Sequence, residues 1–257
     1  MDEQKSLLTS VEPQKSEKDV GLLFLANFVH QVVNPISGVI GTLDNVVDDT
    51  YKGEKAKQVV NACRAQLEQC VSLIRNLAFL SDFFFEKSEK DELRQARQGA
   101  TSVLPQVIIE ALQFFQSAAE NKSIKIELVD ASVQYRVHAR PELLKQIFIN
   151  LFDNWLKYGL SHQTVQIFTR VNSKNELCVD ISGTSIGFNN ADAERIFEMG
   201  FRSKEALGKV AQGSGIGLFI CKKITNDILE GKITAIHSAK SSTTTFNITI
   251  PKKLWQI

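Results

Sequence analysis

This chain of 257 residues has little thiol or imidazole to offer a zinc ion or a disulfide, four cysteines and four histidines in all. Cys63, Cys70, Cys178 and Cys221 have no CxxC spacing, and His30, His138, His162 and His237 are scattered. Neither a zinc centre nor a disulfide framework is expected, and the thiols read as reduced and buried. An excess of one charge is missing too. Lys and Arg number 30 against 29 Asp and Glu, a net of +1, so no global field draws nucleic acid or an acidic membrane. The longest apolar stretch near the start, residues 20–26, falls far short of the roughly 18 residues that a membrane span needs. No cleavable signal precedes it, so the chain is expected to be cytoplasmic, with no membrane span and no nucleic-acid partner. What remains is globular material, 43% hydrophobic and 23% charged, long enough for one to two domains.

Residues 1–18 carry Lys, Glu, Gln and Ser without an apolar period and read as a disordered tail. From there the apolar residues fall on a heptad. Leu22, Val29, Ile36 and Leu43 share one position, and Leu25, Val32, Val39 and Val46 follow three residues later. After a polar break at residues 48–53 a second run follows, Val60, Leu67 and Ile74 interleaved with Cys63, Cys70, Leu77 and Phe84. Residues 19–90 therefore predict a helical hairpin. It has too little core to stand alone, and pairing with a second copy into a four-helix bundle, a homodimer, buries its stripe. The polar stretch that follows places a linker at residues 91–100. Over 101–257 the periods alternate: helices at 104–120, 143–158 and 216–229, strands near 124–128, 165–171, 177–181, 232–237 and 244–250. This half predicts an α+β domain whose mixed sheet is covered by helices on one face.

Two local patterns in this half carry chemistry. Gly213-Ser214-Gly215-Ile216-Gly217-Leu218 opens a helix, so backbone N–H groups can receive phosphate oxygens where the glycines let the chain approach. On the 143–158 helix, Asn150 and Asn154 lie one turn apart with Lys157 beside them. That face offers neutral oxygens for a hydrated Mg²⁺ and a cation for phosphate, within an otherwise apolar helix.

In order and spacing these motifs resemble the core of a two-component sensor histidine kinase over residues 20–257: a dimerisation and histidine-phosphotransfer hairpin, then an ATP-binding domain of the GHKL type. The run from Asn150 to Tyr158 is similar to the family's N box. The resemblance implies ATP and Mg²⁺ as ligands, with Asn154 on the metal, Asn150 and Lys157 at the phosphates and Tyr158 near the nucleotide. The run from Glu194 to Lys204 resembles the F box, which brings Arg202 and Lys204 to the nucleotide under a lid ending at Gly213. Gly213, Gly215, Gly217 and Leu218 resemble the G2 box, and Gly187 the end of the G1 box. His30-Gln31-Val32-Val33-Asn34-Pro35 is similar to the H box. It makes His30 the phosphoacceptor, with Gln31 beside it and Asn34 placed to orient water against a phosphorylated regulator. The position of His30, one past the seam residue Val29, points its ring to solvent, and Pro35 is expected to bend the helix. The partner implied is a response-regulator receiver domain, whose aspartate takes the phosphoryl group.

Three positions depart from the family pattern. Gln31 stands where an acidic residue usually assists proton removal, and an amide is no base. Gly183 stands where an aspartate receives the adenine amino group. Asp180, at an odd offset along the strand, points to the other face, leaving Thr184, Ser185 or Thr244 to reach the base. Gly200 replaces an aromatic, which loosens lid packing. The reading is a kinase that phosphorylates His30, with phosphatase activity outlasting kinase activity. The alternative is a pseudokinase or phosphotransfer adaptor with a degraded nucleotide site.

Overall fold

The computed structural model describes residues 17–85, 100–209 and 213–257. The tail to residue 16, positions 91–99 of the expected linker and positions 210–212 of the expected lid lie outside the described residues. The chain divides into two compact units, Met1–Arg75 and Asn76–Ile257.

The first unit is built from α1 (Glu17–Val47) and α2 (Gly53–Phe85), which continues beyond the division. α1 runs through Pro35 as one helix. The reversal at residues 48–52 falls in the polar break. Thr50 N–H donates to Asn45 O at 2.9 Å, and Asp49 and Gly53 take positive φ of 58° and 57°. The heptad splits by position. Val39, Cys63, Cys70 and Leu73 are buried, and the Cys70 thiol reaches Val32 O on the facing helix at 3.8 Å. The other position is mostly open: Val29 is 52% exposed, and Leu43, Val60, Leu67 and Ile74 are exposed, with Ile36 half-buried among them. A two-helix hairpin can cover only the stripe between its own helices.

In the second unit, α3 (Leu104–Gln113) and α4 (Gln116–Asn121) occupy the stretch expected as one helix. At the break, Phe114–Phe115, the half-buried Phe115 ring packs edge-on to Phe152, with 6.3 Å between ring centroids. α5 (Pro141–Tyr158) begins with proline at its first turn, where the missing N–H costs nothing. The main sheet takes the order β2-β4-β5-β7-β6 from β2 (Ile124–Leu128), β4 (Gln163–Val171), β5 (Leu177–Thr184), β6 (Lys232–Ser238) and β7 (Thr243–Ile250). β2 and β4 are parallel and the other pairs antiparallel, so the sheet is mixed. A second small sheet, β1-β3-β8, joins Ser102–Val103, Arg136–Val137 and Trp255–Gln256; strands of two residues leave no readable period. α6 (Lys204–Lys209) is short, and α7 (Gly217–Lys223) continues as a π turn over Ile224–Ile228.

The core lies between one face of the main sheet and α3, α5 and α7. Leu104, Ile108, Leu144, Ile147, Phe148, Leu151, Phe152 and Ile220 from the helices meet Ile167, Leu177 and Ile181 from the strands, all fully buried. Rows of inward residues cross the strands in register: Val179 with Ile248 and Ile233, then Ile181 with Phe246 and Ala235. One step further along the same face, the row changes character.

Candidate functional site

That last row is Gly183, Thr244 and His237, neighbours across β5, β7 and β6. Alternation places all three on the helix-facing side. Thr244 is buried, and its hydroxyl lies 2.7 Å from Ser185 Oγ and 2.9 Å from His237 Nδ1. Ser185 Oγ also accepts the Gly187 N–H at 3.0 Å. Gly187 has φ +72°, and a Cβ there would fall 2.2 Å from the His237 ring, so both backbone and space demand glycine. Asn190 clamps the main chain of His237 from outside, donating to its carbonyl and accepting from its N–H.

Gly183 has no room for a side chain. A Cβ there would lie 2.8 Å from Gln163 Oε1, 3.1 Å from Val165 Cγ2 and 3.3 Å from Trp155 Cζ3. Gln163 itself is held on Thr184, accepting from its N–H at 2.5 Å and its hydroxyl at 2.9 Å, and donating to its carbonyl at 2.5 Å. Asp180 faces the opposite side of the sheet, where its carboxylate takes Arg170 Nε at 3.0 Å and the Asn247 amide. The three hydroxyls expected to reach a base are engaged within the protein: Thr184 on Gln163, Ser185 and Thr244 on each other.

Beside this row runs the polar face of α5. Asn150 is 2% exposed, enclosed between α5 and α7; a Cβ at Gly217 would touch its Oδ1 at 3.4 Å. Its Nδ2 has no hydrogen-bond acceptor among oxygens and nitrogens. The Cys221 sulfur, a weak acceptor, is its neighbour on α7, and the thiol itself reaches Ile147 O at 3.5 Å. Complete burial pushes the Cys221 thiol far above its ordinary pKa, with its backbone hydrogen bond and Asn150 opposing more weakly. Asn154 is half-buried one turn on. Lys157 Nζ sits 2.6 Å from Asp153 Oδ2, both half-buried, so this lysine carries a carboxylate of its own helix.

The glycine loop closes on the same end. A Cβ at Gly213 would lie 3.5 Å from the Tyr158 hydroxyl and 3.4 Å from Arg202 Nε, which places these three side by side. Gly215, at φ +66°, rests against the Gly200–Phe201 backbone. Gly200 is the other side of this contact. It takes φ +78°, and its N–H donates to Gly215 O at 3.1 Å, so a glycine here makes the loop contact without the backbone strain that an aromatic would carry. Arg195 stacks on Phe201 with its guanidinium 4.5 Å from the ring centroid and pairs with Asp192 at 3.1 Å. Leu218 is half-buried on α7, and Lys204 is exposed at the start of α6. His30 and Gln31 lie on α1 in the first unit, their side chains outside the described residues, and Asn34 is exposed four residues on. The structure thus gathers Asn150, Asn154, Tyr158, Arg202, Gly213, Gly215 and Gly217 at one end of the second unit. Gln163 and His237 escaped the sequence reading. His237 shares the inward period of Ile233 and Ala235, which was the available signal; Gln163 left none.

Residues 139–254 match the family described as histidine kinase-, DNA gyrase B- and HSP90-like ATPase. The match lies wholly within the second unit. Across the longer chain the relatives are sensor kinases. The sensor protein KdpD of Clostridium acetobutylicum is 25% identical over 232 residues, covering 90% of this chain and 24% of KdpD. The sensor histidine kinase YcbM of Bacillus subtilis is 21% identical over 229 residues, covering 89% of this chain and 70% of YcbM. The chain thus spans about a quarter of the first relative and most of the second. Histidine kinase ThkA in complex with response regulator protein TrrA shares the fold, with TM-score 0.60 and 20% identity over 91% of this chain and 63% of that one. In its element order and fold the chain resembles a two-component sensor histidine kinase core, helices followed by a GHKL-type ATP-binding domain. Among its described residues, no helix is long and apolar enough to cross a membrane.

Proposed function

We propose that this histidine kinase core binds Mg-ATP in the second unit, phosphorylates His30 and passes the phosphoryl group to an aspartate of a response-regulator receiver domain. The observation that carries the reading is the convergence of the glycine loop on Tyr158, Arg202 and Asn150 at one end of the sheet. The donor set fits a polyphosphate. Its groups are amides, a phenol, a guanidinium and backbone N–H, and the nearby carboxylate Asp153 is already paired with Lys157. Among the described residues no cluster of three or more His, Cys, Asp or Glu exists to cage a metal. Mg²⁺ suits such a site, because it keeps waters and phosphate oxygens as ligands and needs little from protein; Asn154 would hold it. When bound, the ion neutralises charge on the β- and γ-phosphates.

The chain's own groups do the rest. Gly213 and Gly215 leave their backbone open to phosphate oxygens, and Arg202 supplies fixed positive charge, so catalysis rests on position and electrostatics. The neutral imidazole of His30 attacks the γ-phosphorus: an N–P bond forms, the bridging P–O bond breaks, and its electron pair leaves on ADP. The proton on the other ring nitrogen passes to solvent, because Gln31 is no base. Loss of that assistance costs ~10² to 10⁴ in rate, which makes a slow kinase. Asn34, exposed on the face of His30, orients water for the reverse task of dephosphorylating the regulator. The open heptad position of the hairpin supports a homodimer, since Val29, Leu43, Val60, Leu67 and Ile74 need a second copy to be covered. Titration calorimetry with ATP, with and without Mg²⁺, tests the binding step. Metal-dependent binding lost in Asn154→Ala is the expected result, and no binding at millimolar ATP contradicts it.

A further inference from the structure

Asn150 on α5 and Cys221 on α7 meet between the two helices, at 2% and 0% exposure. The two ends of an amide differ, since its nitrogen donates and its oxygen accepts. In Asn150 the oxygen lies toward Gly217, where a Cβ would meet Oδ1 at 3.4 Å. The nitrogen is shut off from solvent, and no oxygen or nitrogen accepts from it. A buried N–H without an acceptor is costly, and the atom beside this one is the Cys221 sulfur. That thiol reaches Ile147 O at 3.5 Å, so its one proton is spent on α5 and its lone pairs are left for the amide. A flipped amide would set Oδ1 against a sulfur with no proton to give. Gly217 and Cys221 stand one turn apart on α7, so one face of that helix meets both ends of Asn150.

From this we infer that Cys221 is a positioning residue for the glycine-loop site: its sulfur holds the amide nitrogen of Asn150, so that Asn150 presents its oxygen toward Gly217. The inference rests on the nucleotide-binding reading above and deepens it. An amide turned oxygen-first offers an acceptor, which suits the donors of a bound ligand, such as metal-held water, and repels bare phosphate oxygens. Cys221 itself, fully buried beneath Asn150, touches no ligand. Its effect passes through the amide.

The test uses the full chain and has two arms. In the first, the asparagine side chains of the wild type are labelled with nitrogen-15 and read by NMR without nucleotide. Overhauser contacts from the Asn150 amide protons to the β-protons of Cys221 are expected. Contacts to the α-protons of Gly217 in their place overturn the inference, and this arm needs no variant to fold. In the second, calorimetry compares Mg-ATP binding by the wild type, Cys221→Ala and Cys221→Ser. Both variants remove the bulk of the sulfur, but serine still donates to Ile147 O and accepts from Asn150. Cys221→Ala is expected to weaken binding by about fivefold, the effect of one hydrogen bond, and Cys221→Ser to stay within about twofold of the wild type. Packing alone predicts no advantage for serine, so equal losses in the two variants, or no loss in Cys221→Ala, overturn the inference while leaving the binding reading intact. No binding of Mg-ATP by the wild type overturns both.

Discussion

The amide of Gly200 donates to the carbonyl oxygen of Gly215 at 3.1 Å, and both residues hold positive φ, +78° and +66°. This pairing ties the glycine loop to the segment after Phe197, and so fixes where the backbone beside Tyr158 and Arg202 stands. Replacing either glycine forces a left-handed backbone on a residue with a Cβ, at a cost of about 1 to 3 kcal/mol. At Gly215 a Cβ would also fall 2.6 Å from the Gly200 carbonyl carbon. Gly215→Ala is expected to lower ATP affinity at least tenfold by calorimetry. Gly200→Phe, which restores the aromatic usual in the family, is expected to weaken binding too, although the space around Gly200 is open. Improved binding would show that the contact is dispensable.

The hairpin makes a separate prediction. Leu43 and Leu67 sit in the open heptad position, and a glutamate at each would have to be buried in a bundle interface without a partner. The double variant Leu43→Glu/Leu67→Glu is expected to sediment as a monomer where the wild type sediments as a dimer. The second unit should keep its share of the circular-dichroism signal, because its buried core is its own.

Cys221 gives stability a pH dependence of known sign. Burial raises its folded pKa, so between the unfolded thiol's pKa, about 8.5, and the folded value the native state holds a proton that the unfolded state has lost. The contribution is complete below that unfolded pKa and declines as pH rises, by roughly 1 kcal/mol per pH unit. Cys221→Ala lacks this slope. The gap in unfolding free energy between wild type and Cys221→Ala is therefore expected to narrow from pH 8 to pH 10 in urea titrations, and a constant gap would refute the assignment.

Much of this was legible in the sequence for a physical reason: long amphipathic periods survive tertiary context. The heptads of α1 and α2, the polar break between them and the five strands of the main sheet all follow from apolar spacing. The helix expected over 104–120 breaks at Phe114–Phe115, where the Phe115 ring packs on Phe152, a tertiary contact that spacing cannot register. The site was legible where backbone chemistry demands a residue type, as at Gly187 and Gly215. It was illegible where side chains compensate one another across strands. Gly183 reads as a simple loss until Gln163, 20 positions earlier in the chain, is seen to fill its space. Gly200 reads as a weakened lid until its φ and its bond to Gly215 show what glycine does there.

The central claim is transfer of a phosphoryl group to His30, and one experiment addresses it directly. The wild-type chain and His30→Ala are incubated with Mg²⁺ and ATP labelled at the γ-phosphate, and acid-labile, base-stable label on protein is followed over hours, because Gln31 predicts a slow rate. Label that accumulates on the wild type and is absent from His30→Ala is the predicted result. No label on either, or equal label on both, would contradict it.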